Sequence, residues 1–271
     1  MSAAVAAVGV VTAWGDGLAA LPDDARRAAA GRRVVPMARP ALSGERFRRA
    51  TAECLHGVAA VEAMLRDGGL ARGEIVGPNT ALLYVTAAAY GASNLAFLAG
   101  PNAGRGTPAL HFPYTAPSAV PAEVSIEFGL TGPYVILVGG GATTVDALWQ
   151  AECLMDRGHA ERAIVLAVET FAQCESLWAR GRWTAQGPLV EAAAAALLVP
   201  APSEVPHVER NRTGLLDIDV ASRAGQTLAC APLIALALAR ARRARQTSVH
   251  ATWRGRHARH DVRVVDEERA R

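Results

Sequence analysis

Residues Tyr134–Val138 read Tyr-Val-Ile-Leu-Val, an unbroken apolar run suited to a β-strand. Three glycines, Gly139, Gly140 and Gly141, follow at once. Residues 142–157 then place Val145, Leu148, Cys153 and Met155 at helical spacing, with Gly158 as a stop. A strand, a glycine turn and a helix in succession constrain the chain more than any other stretch. They call for an α/β architecture in which the strand is buried on both faces. The glycines can relieve strained backbone angles in a sharp turn. Phosphate cradling is the alternative reading, but neither G-x-G-x-x-G nor G-K-[ST] is present. Thr143 and Thr144, at the helix start, are expected to cap it.

The same alternation continues along the chain. Strands are expected over residues 5–11, 80–86, 162–168 and 190–199, and helices over 49–66 and 117–128. Residues 19–33 read as helical or irregular, and the Gly/Pro-rich stretch 99–111 as a surface loop. The run 190–199 is ambiguous, because its alanines favour helix. Together these elements predict a layered fold around a largely parallel sheet.

Composition narrows the function classes. Of the 271 residues, 51% are hydrophobic but only 5% aromatic, so alanine dominates and close packing of helices on sheet is expected. The net charge of +3 does not argue for nucleic acid. No lysine occurs, and a biased genome accounts for this as well as any function does. The N-terminal stretch lacks a basic flank and a cleavage pattern, and no apolar run approaches a membrane span. A cytoplasmic protein is therefore expected. Cys54, Cys153, Cys174 and Cys230 show no metal spacing and are expected to stay reduced as packing residues. His250, His257 and His260 lie too irregularly for a zinc site, and His111 reads as a loop histidine. No metal or cofactor is expected.

The segment around the glycines resembles the nucleophile region of the β-ketoacyl synthases. Gly129, Thr131, Gly132 and Pro133 fall in register with that family's motif, as do Asp146, Ala147, Leu148 and Ala151. The resemblance implies a thiolase-like α/β/α fold. The N-terminal half, residues 1–205, would be nearly complete. Residues 206–271 would be a truncated remnant of the second half, with one helix and two strands. Residues 225–239 resemble the family's "GHtLGAAG" helix, and 247–264 its closing strand pair.

In register with the motif, the family's nucleophilic cysteine falls on Gly141, and one catalytic histidine falls on Gln226. The other histidine has no counterpart. Condensation needs a thiolate nucleophile and donors for the enolate oxygen, and both are missing by this register. The resemblance therefore implies a non-catalytic subunit, similar to the short chain length factors of aryl polyene and related type II polyketide or fatty-acid systems. Such a subunit pairs with an active β-ketoacyl synthase as a heterodimer, or with itself as a homodimer. The family pairs through the strand before the nucleophile, here Tyr134, Val135, Ile136, Leu137 and Val138, bordered by the helix carrying Ala122.

Arg240, Arg242, Arg243 and Arg245 form a late basic cluster. A solvated basic face explains them. Docking of an acidic acyl carrier protein is the functional alternative. Two rival readings remain at this stage. One is a stand-alone carrier-protein-binding scaffold. The other is an acyltransferase or hydrolase with altered chemistry.

Overall fold

Two strands carry the alternation that defines the layers. In β4 (Thr80–Thr86), Ala81, Leu83 and Val85 enter one core while Leu82 and Tyr84 enter another. In β6 (Arg162–Glu169), Ala163, Val165 and Ala167 oppose Ile164, Leu166 and Val168 in the same way. Side chains of successive strand residues point to opposite faces, so each strand supplies two apolar surfaces. Helices cover both. The computed structural model describes residues 3–42, 44–48, 50–102, 109–172, 175, 187–201 and 214–265.

In chain order these residues form β1 (Ala3–Thr12), the short β2 (Gly15–Asp16), α1 (Ala25–Ala29), β3 (Val34–Val35) and α2 (Ala52–Gly68). Then come β4, α3 (Gly91–Asn102), α4 (Ala119–Phe128), β5 (Tyr134–Val138), α5 (Gly141–Asp156) and β6. The last group is β7 (Leu189–Val190), β8 (Ala192–Pro200), α6 (Gly214–Arg223), α7 (Ala231–Ala241), β9 (Gln246–Trp253) and β10 (Arg256–Val264). The main sheet runs β5-β4-β6-β8-β1-β10-β9, with β2 added to β1. α2 and α4 pack on one face, and α5 and α7 on the other. This is the expected α/β/α arrangement.

The sheet is mixed, not largely parallel. β5, β4 and β6 are mutually parallel, but β8 lies antiparallel to both β6 and β1. β8 is also the run whose alanines favour helix. Ala192 through Ala196 are all 0% exposed at the sheet centre. Pairing on both edges satisfies the strand's backbone and overrides its propensity, because buried N–H and C=O groups must find partners. Small side chains on both faces let the helices approach closely. Gly9 in β1 shows the limit: a Cβ there would overlap backbone atoms of α2 at Ala60 and Met64, and would lie 2.7 Å from the carbonyl carbon of Ala63.

Other expectations need correction. β5 is an edge strand, with Tyr134 and Val138 each 57% exposed, so within this chain it is not buried on both faces. Residues 91–102 form α3 where the loop was expected to begin, and residues 109–115 form a 3₁₀ segment. The helix boundaries elsewhere fall within a few residues of those expected. After residue 206 the described chain contains α6 besides α7 and the strand pair. The expected boundary at 205/206, and Cys174, lie outside the described residues.

Substituting Gly9→Ala should destabilise the fold by about 3 kcal/mol or more, the upper range for overpacking, because backbone rather than a flexible side chain must move. Urea denaturation measures this. A midpoint unchanged from the parent chain would show that α2 does not sit against β1 as described.

Candidate functional site

The glycine turn joins the C-terminal end of β5 to the start of α5. Its geometry differs from the expected strained turn: none of the three glycines has a positive φ. They are required for close approach instead. A Cβ on Gly141 would lie 2.9 Å from Ala251 Cβ and 3.4 Å from the Leu228 carbonyl oxygen. One on Gly140 would run into the Trp253 ring, and one on Gly139 into Thr143. Ala251 and Trp253 belong to β9. The β9–β10 hairpin therefore closes directly over the turn, and all three glycines are buried.

One ion pair and one histidine–carboxylate contact join the hairpin to α5 there. Arg256 meets Asp146 at 2.8 Å, and His260 Nε2 lies 3.3 Å from Glu152, both carboxylates projecting from α5. Thr144 does not cap its helix. Its hydroxyl donates to the Ala229 carbonyl at 2.7 Å, and the N-cap residue is Gly140, without a side-chain cap. The turn before α7 is thereby tied to the start of α5.

Sequence reasoning missed the two buried glutamates that organise this region. Glu169, at the end of β6, is 0% exposed. Its carboxylate accepts from the backbone N–H of Ala87 (2.8 Å), Ala88 (2.9 Å) and Ala229 (3.2 Å). It thus joins the loop after β4 to the turn before α7. Burial pushes its pKa up to about 8, against the lowering effect of those N–H donors. Glu191, between β7 and β8, accepts from Phe171 N at 2.7 Å, Ala172 N at 2.8 Å and Met37 N at 2.8 Å. Each is a single acidic residue in an apolar run, and that isolation was the available signal.

Gly141 and Gln226 are far apart in sequence, yet both line one cleft of about 510 Å³. Gln226 is held by its backbone, donating to Pro188 O and accepting from Val190 N. His250 and His257 line the same cleft, and His257 Nδ1 lies 2.8 Å from the Thr252 hydroxyl. His260 faces α5 instead, and among the described residues no group of three or more His, Cys, Asp or Glu could hold a metal. Cys54 and Cys230 are buried, with burial raising the Cys54 thiol to about 12 and the Cys230 thiol well above its ordinary value. Neither is a thiolate near neutral pH. The His111 side chain lies outside the described residues.

The arginine cluster divides. The Arg240 side chain is 8% exposed, pairs with Asp67 at 3.3 Å and donates to Val265 O, so it is engaged inside the fold. Arg242 pairs with Asp219. Arg243 and Arg245 are exposed on the turn after α7.

The proposed pairing strand has an open edge. Leu82 N donates to Pro133 O, and Gly139 N donates to Thr86 O. Alternation between these bonds turns residues 135 and 137 toward β4. The N–H and C=O groups of 134, 136 and 138 point out from the sheet. The helices on the two faces of the sheet carry exposed apolar side chains: Ile126 (64%) on α4, with Ala122 one turn before it, and Trp149 (56%) on α5.

The chain belongs to the β-ketoacyl synthase family, whose N-terminal domain matches residues 39–188. No curated protein matches the chain. Among solved structures it is similar to the ishigamide ketosynthase/chain length factor, with a TM-score of 0.68 at 15% identity over 96% of this chain and 98% of that one. The AntDE:AntF assembly, a type II PKS acyl-carrier protein in complex with its ketosynthase, gives a TM-score of 0.69 at 13% identity over 96% and 98%. The ketosynthase ApeO in complex with its chain length factor ApeC, from Xenorhabdus doucetiae, gives 0.56 at 14% identity over 75% and 81%. At these identities the likeness is one of fold. No helix among the described residues is long and apolar enough to cross a membrane.

Gly141→Cys should destabilise the protein and alkylate slowly with iodoacetamide, because the thiol would be pressed under β9. Adding Ala251→Gly should relieve both effects. Rapid alkylation of the single variant would show that the hairpin does not cover the turn.

Glu169 sets a pH dependence. Its folded pKa of about 8 exceeds the ordinary 4.5, so the folded state holds the proton more tightly and stability falls as pH rises toward 8. Buried His56 is lowered from 6.5 to about 4 and opposes this below pH 6.5. The fall should therefore be clearest between about 6.5 and 8. Glu169→Gln should lower stability, since its amide would face the Ala88 N–H, and flatten that slope. Denaturant midpoints across the window test it.

Proposed function

We propose that this chain is a ketosynthase-like subunit without condensing chemistry of its own. It pairs through β5 with an active β-ketoacyl synthase and acts in polyketide or fatty-acid chain elongation, in the manner of a chain length factor. The observation that carries the reading is the closed turn at Gly141. The position that the family resemblance assigns to the nucleophile holds no side chain, and the adjoining hairpin crowds it, with Ala251 Cβ 2.9 Å from where a Cβ would stand. Gln226, at the position assigned to a histidine, shares the cleft and supplies no imidazole.

The open edge of β5 supports the pairing. An edge strand with outward N–H and C=O groups and apolar flanks is a template for another strand. An active ketosynthase is the proposed partner, with a second copy of this chain as the alternative. An acyl carrier protein would meet Arg242, Arg243 and Arg245, the exposed members of the cluster.

Co-expression with a ketosynthase encoded nearby, followed by co-purification, tests the pairing. Ile136→Pro should abolish assembly while sparing the fold, because the lost N–H points outward and proline is tolerated at such edge positions. Ala122→Arg should weaken assembly by about 2–5 kcal/mol, the cost of a desolvated unpaired charge at an interface. Circular dichroism checks folding of both. Assembly unchanged in both folded variants would remove β5 from the interface. The chain alone, given acyl and malonyl carrier proteins, should yield no β-ketoacyl product by mass spectrometry. Such a product without added ketosynthase would defeat the proposal.

A further inference from the structure

β1 and β10 separate soon after they meet. They pair only at Ala4–Arg263 and Val5–Val264, and Val265 N ends the contact on Val5 O at 3.0 Å. Beyond that point β1 keeps β8 on one edge, while the other edge borders a cleft of about 570 Å³ between the C-terminal ends of α2 and α7. Val8, Gly9 and Val10 form part of its wall. Ala13 N donates to Glu191 O in continuation of the β1–β8 ladder, so by alternation residues 7, 9 and 11 bond to β8 and residues 8 and 10 turn to the cleft. Two of the four backbone groups so placed are used: Val8 N donates to Asp67 Oδ2 at 2.8 Å, and Val10 O accepts from Gly17 N at 2.8 Å. The other two, Val8 O and Val10 N, meet no partner among the described residues.

A second observation is the charge of the walls. Arg66, Arg240 and Arg243 line the cleft against Asp16 and Asp67. Asp16 lies 3.5 Å from Arg66, and Asp67 lies 3.3 Å from Arg240, which leaves the exposed Arg243 as the cation in excess. The two faces of the strand also differ. Val8 and Val10 point into the core shared with α7, whereas a Cβ on Gly9 would meet α2. A guest strand residue opposite Gly9 therefore turns its side chain toward Ala63 of α2, and its two neighbours turn theirs toward α7 and Arg243.

We propose that this cleft is a docking groove for an extended segment of a partner protein, acidic at alternate positions, which adds to the open edge of β1. Running parallel to β1, as β10 does, one guest residue serves both open groups: its N–H donates to Val8 O and its carbonyl accepts from Val10 N. These main-chain bonds supply affinity, and acidic side chains on either side of that residue supply selection through Arg243. A free inorganic anion is disfavoured, because α2 and α7 both end here with their C-terminal carbonyls and two carboxylates lie in the wall. The proposal is independent of the pairing of β5, which lies at the far end of the sheet.

Isothermal titration calorimetry of the full chain tests it, with the pentapeptide acetyl-Thr-Glu-Val-Glu-Thr-amide as the probe. The probe should bind saturably, and its counterpart with lysine in place of both glutamates much more weakly. Methylating the central valine nitrogen removes the N–H that meets Val8 O and should weaken binding by about tenfold, the scale of a lost hydrogen bond. Arg243→Gln should weaken it by about threefold, the scale of an exposed ion pair, while keeping the parent's thermal midpoint. The Val10 amide should gain protection from hydrogen exchange when the probe is bound. Residues 266–268 of this chain themselves read Asp-Glu-Glu. A full-length Asp266→Asn/Glu267→Gln/Glu268→Gln variant should bind the probe as the parent does. Absence of saturable binding, equal affinity for the lysine peptide, insensitivity to the N-methyl group, or binding that emerges only in the triple variant would each overturn the assignment.

Discussion

The carboxyl group of Glu169 is the interaction on which the rest of the site depends. It sits at the end of β6 with three backbone N–H groups directed at it. Two come from the loop that leaves β4, and the third from the turn that begins α7. An unpaired buried amide costs about 1–3 kcal/mol, so the three together commit both segments to this point. Thr144 extends the tie to α5 through the Ala229 carbonyl. Glu191 does the same work one layer away, holding Met37, Phe171 and Ala172. The ends of the central strands are therefore joined by buried carboxylates rather than by apolar contact alone.

The hairpin rests on this platform. Because the turn before α7 is fixed, α7 and the strands after it have a defined position over the start of α5. A Cβ on Gly140 or Gly141 would then come closer to β9 than ordinary van der Waals contact. The turn that the resemblance assigns to the family's nucleophile carries no side chain at Gly141, and the hairpin packs against it. The strand before it and the helix after it are both formed. The family frame and the missing side chain at Gly141 are what support the proposal of a subunit without condensing chemistry of its own.

Much of this was legible in the sequence where local pattern and tertiary demand agree. β4, β5, β6, α4 and α5 lie close to where alternation, helical spacing and glycine stops place them. The family motif placed the Gly141 turn, and the C-terminal resemblance placed Gln226, and both line one cleft. Disagreements arose where a residue's partner is remote. Nothing near Thr144 indicates that its hydroxyl is claimed by Ala229. Nothing near Arg240 indicates that Asp67 removes it from the surface. β5 has the composition of a central strand, and its place at the edge depends on which strands pair with it.

The sequence by itself determined the periodicities, the family and the absence of a side chain at Gly141, because these are local chemical facts. Tertiary structure decided three further things. It made the alanine run a central strand, because two flanking strands satisfy its backbone. It made the glycines a matter of close packing rather than of dihedral freedom, because β9 arrives over them from more than a hundred residues away. It also left β5 with one open edge. Each of these depends on distances between segments remote in the chain, which composition and spacing do not encode one segment at a time.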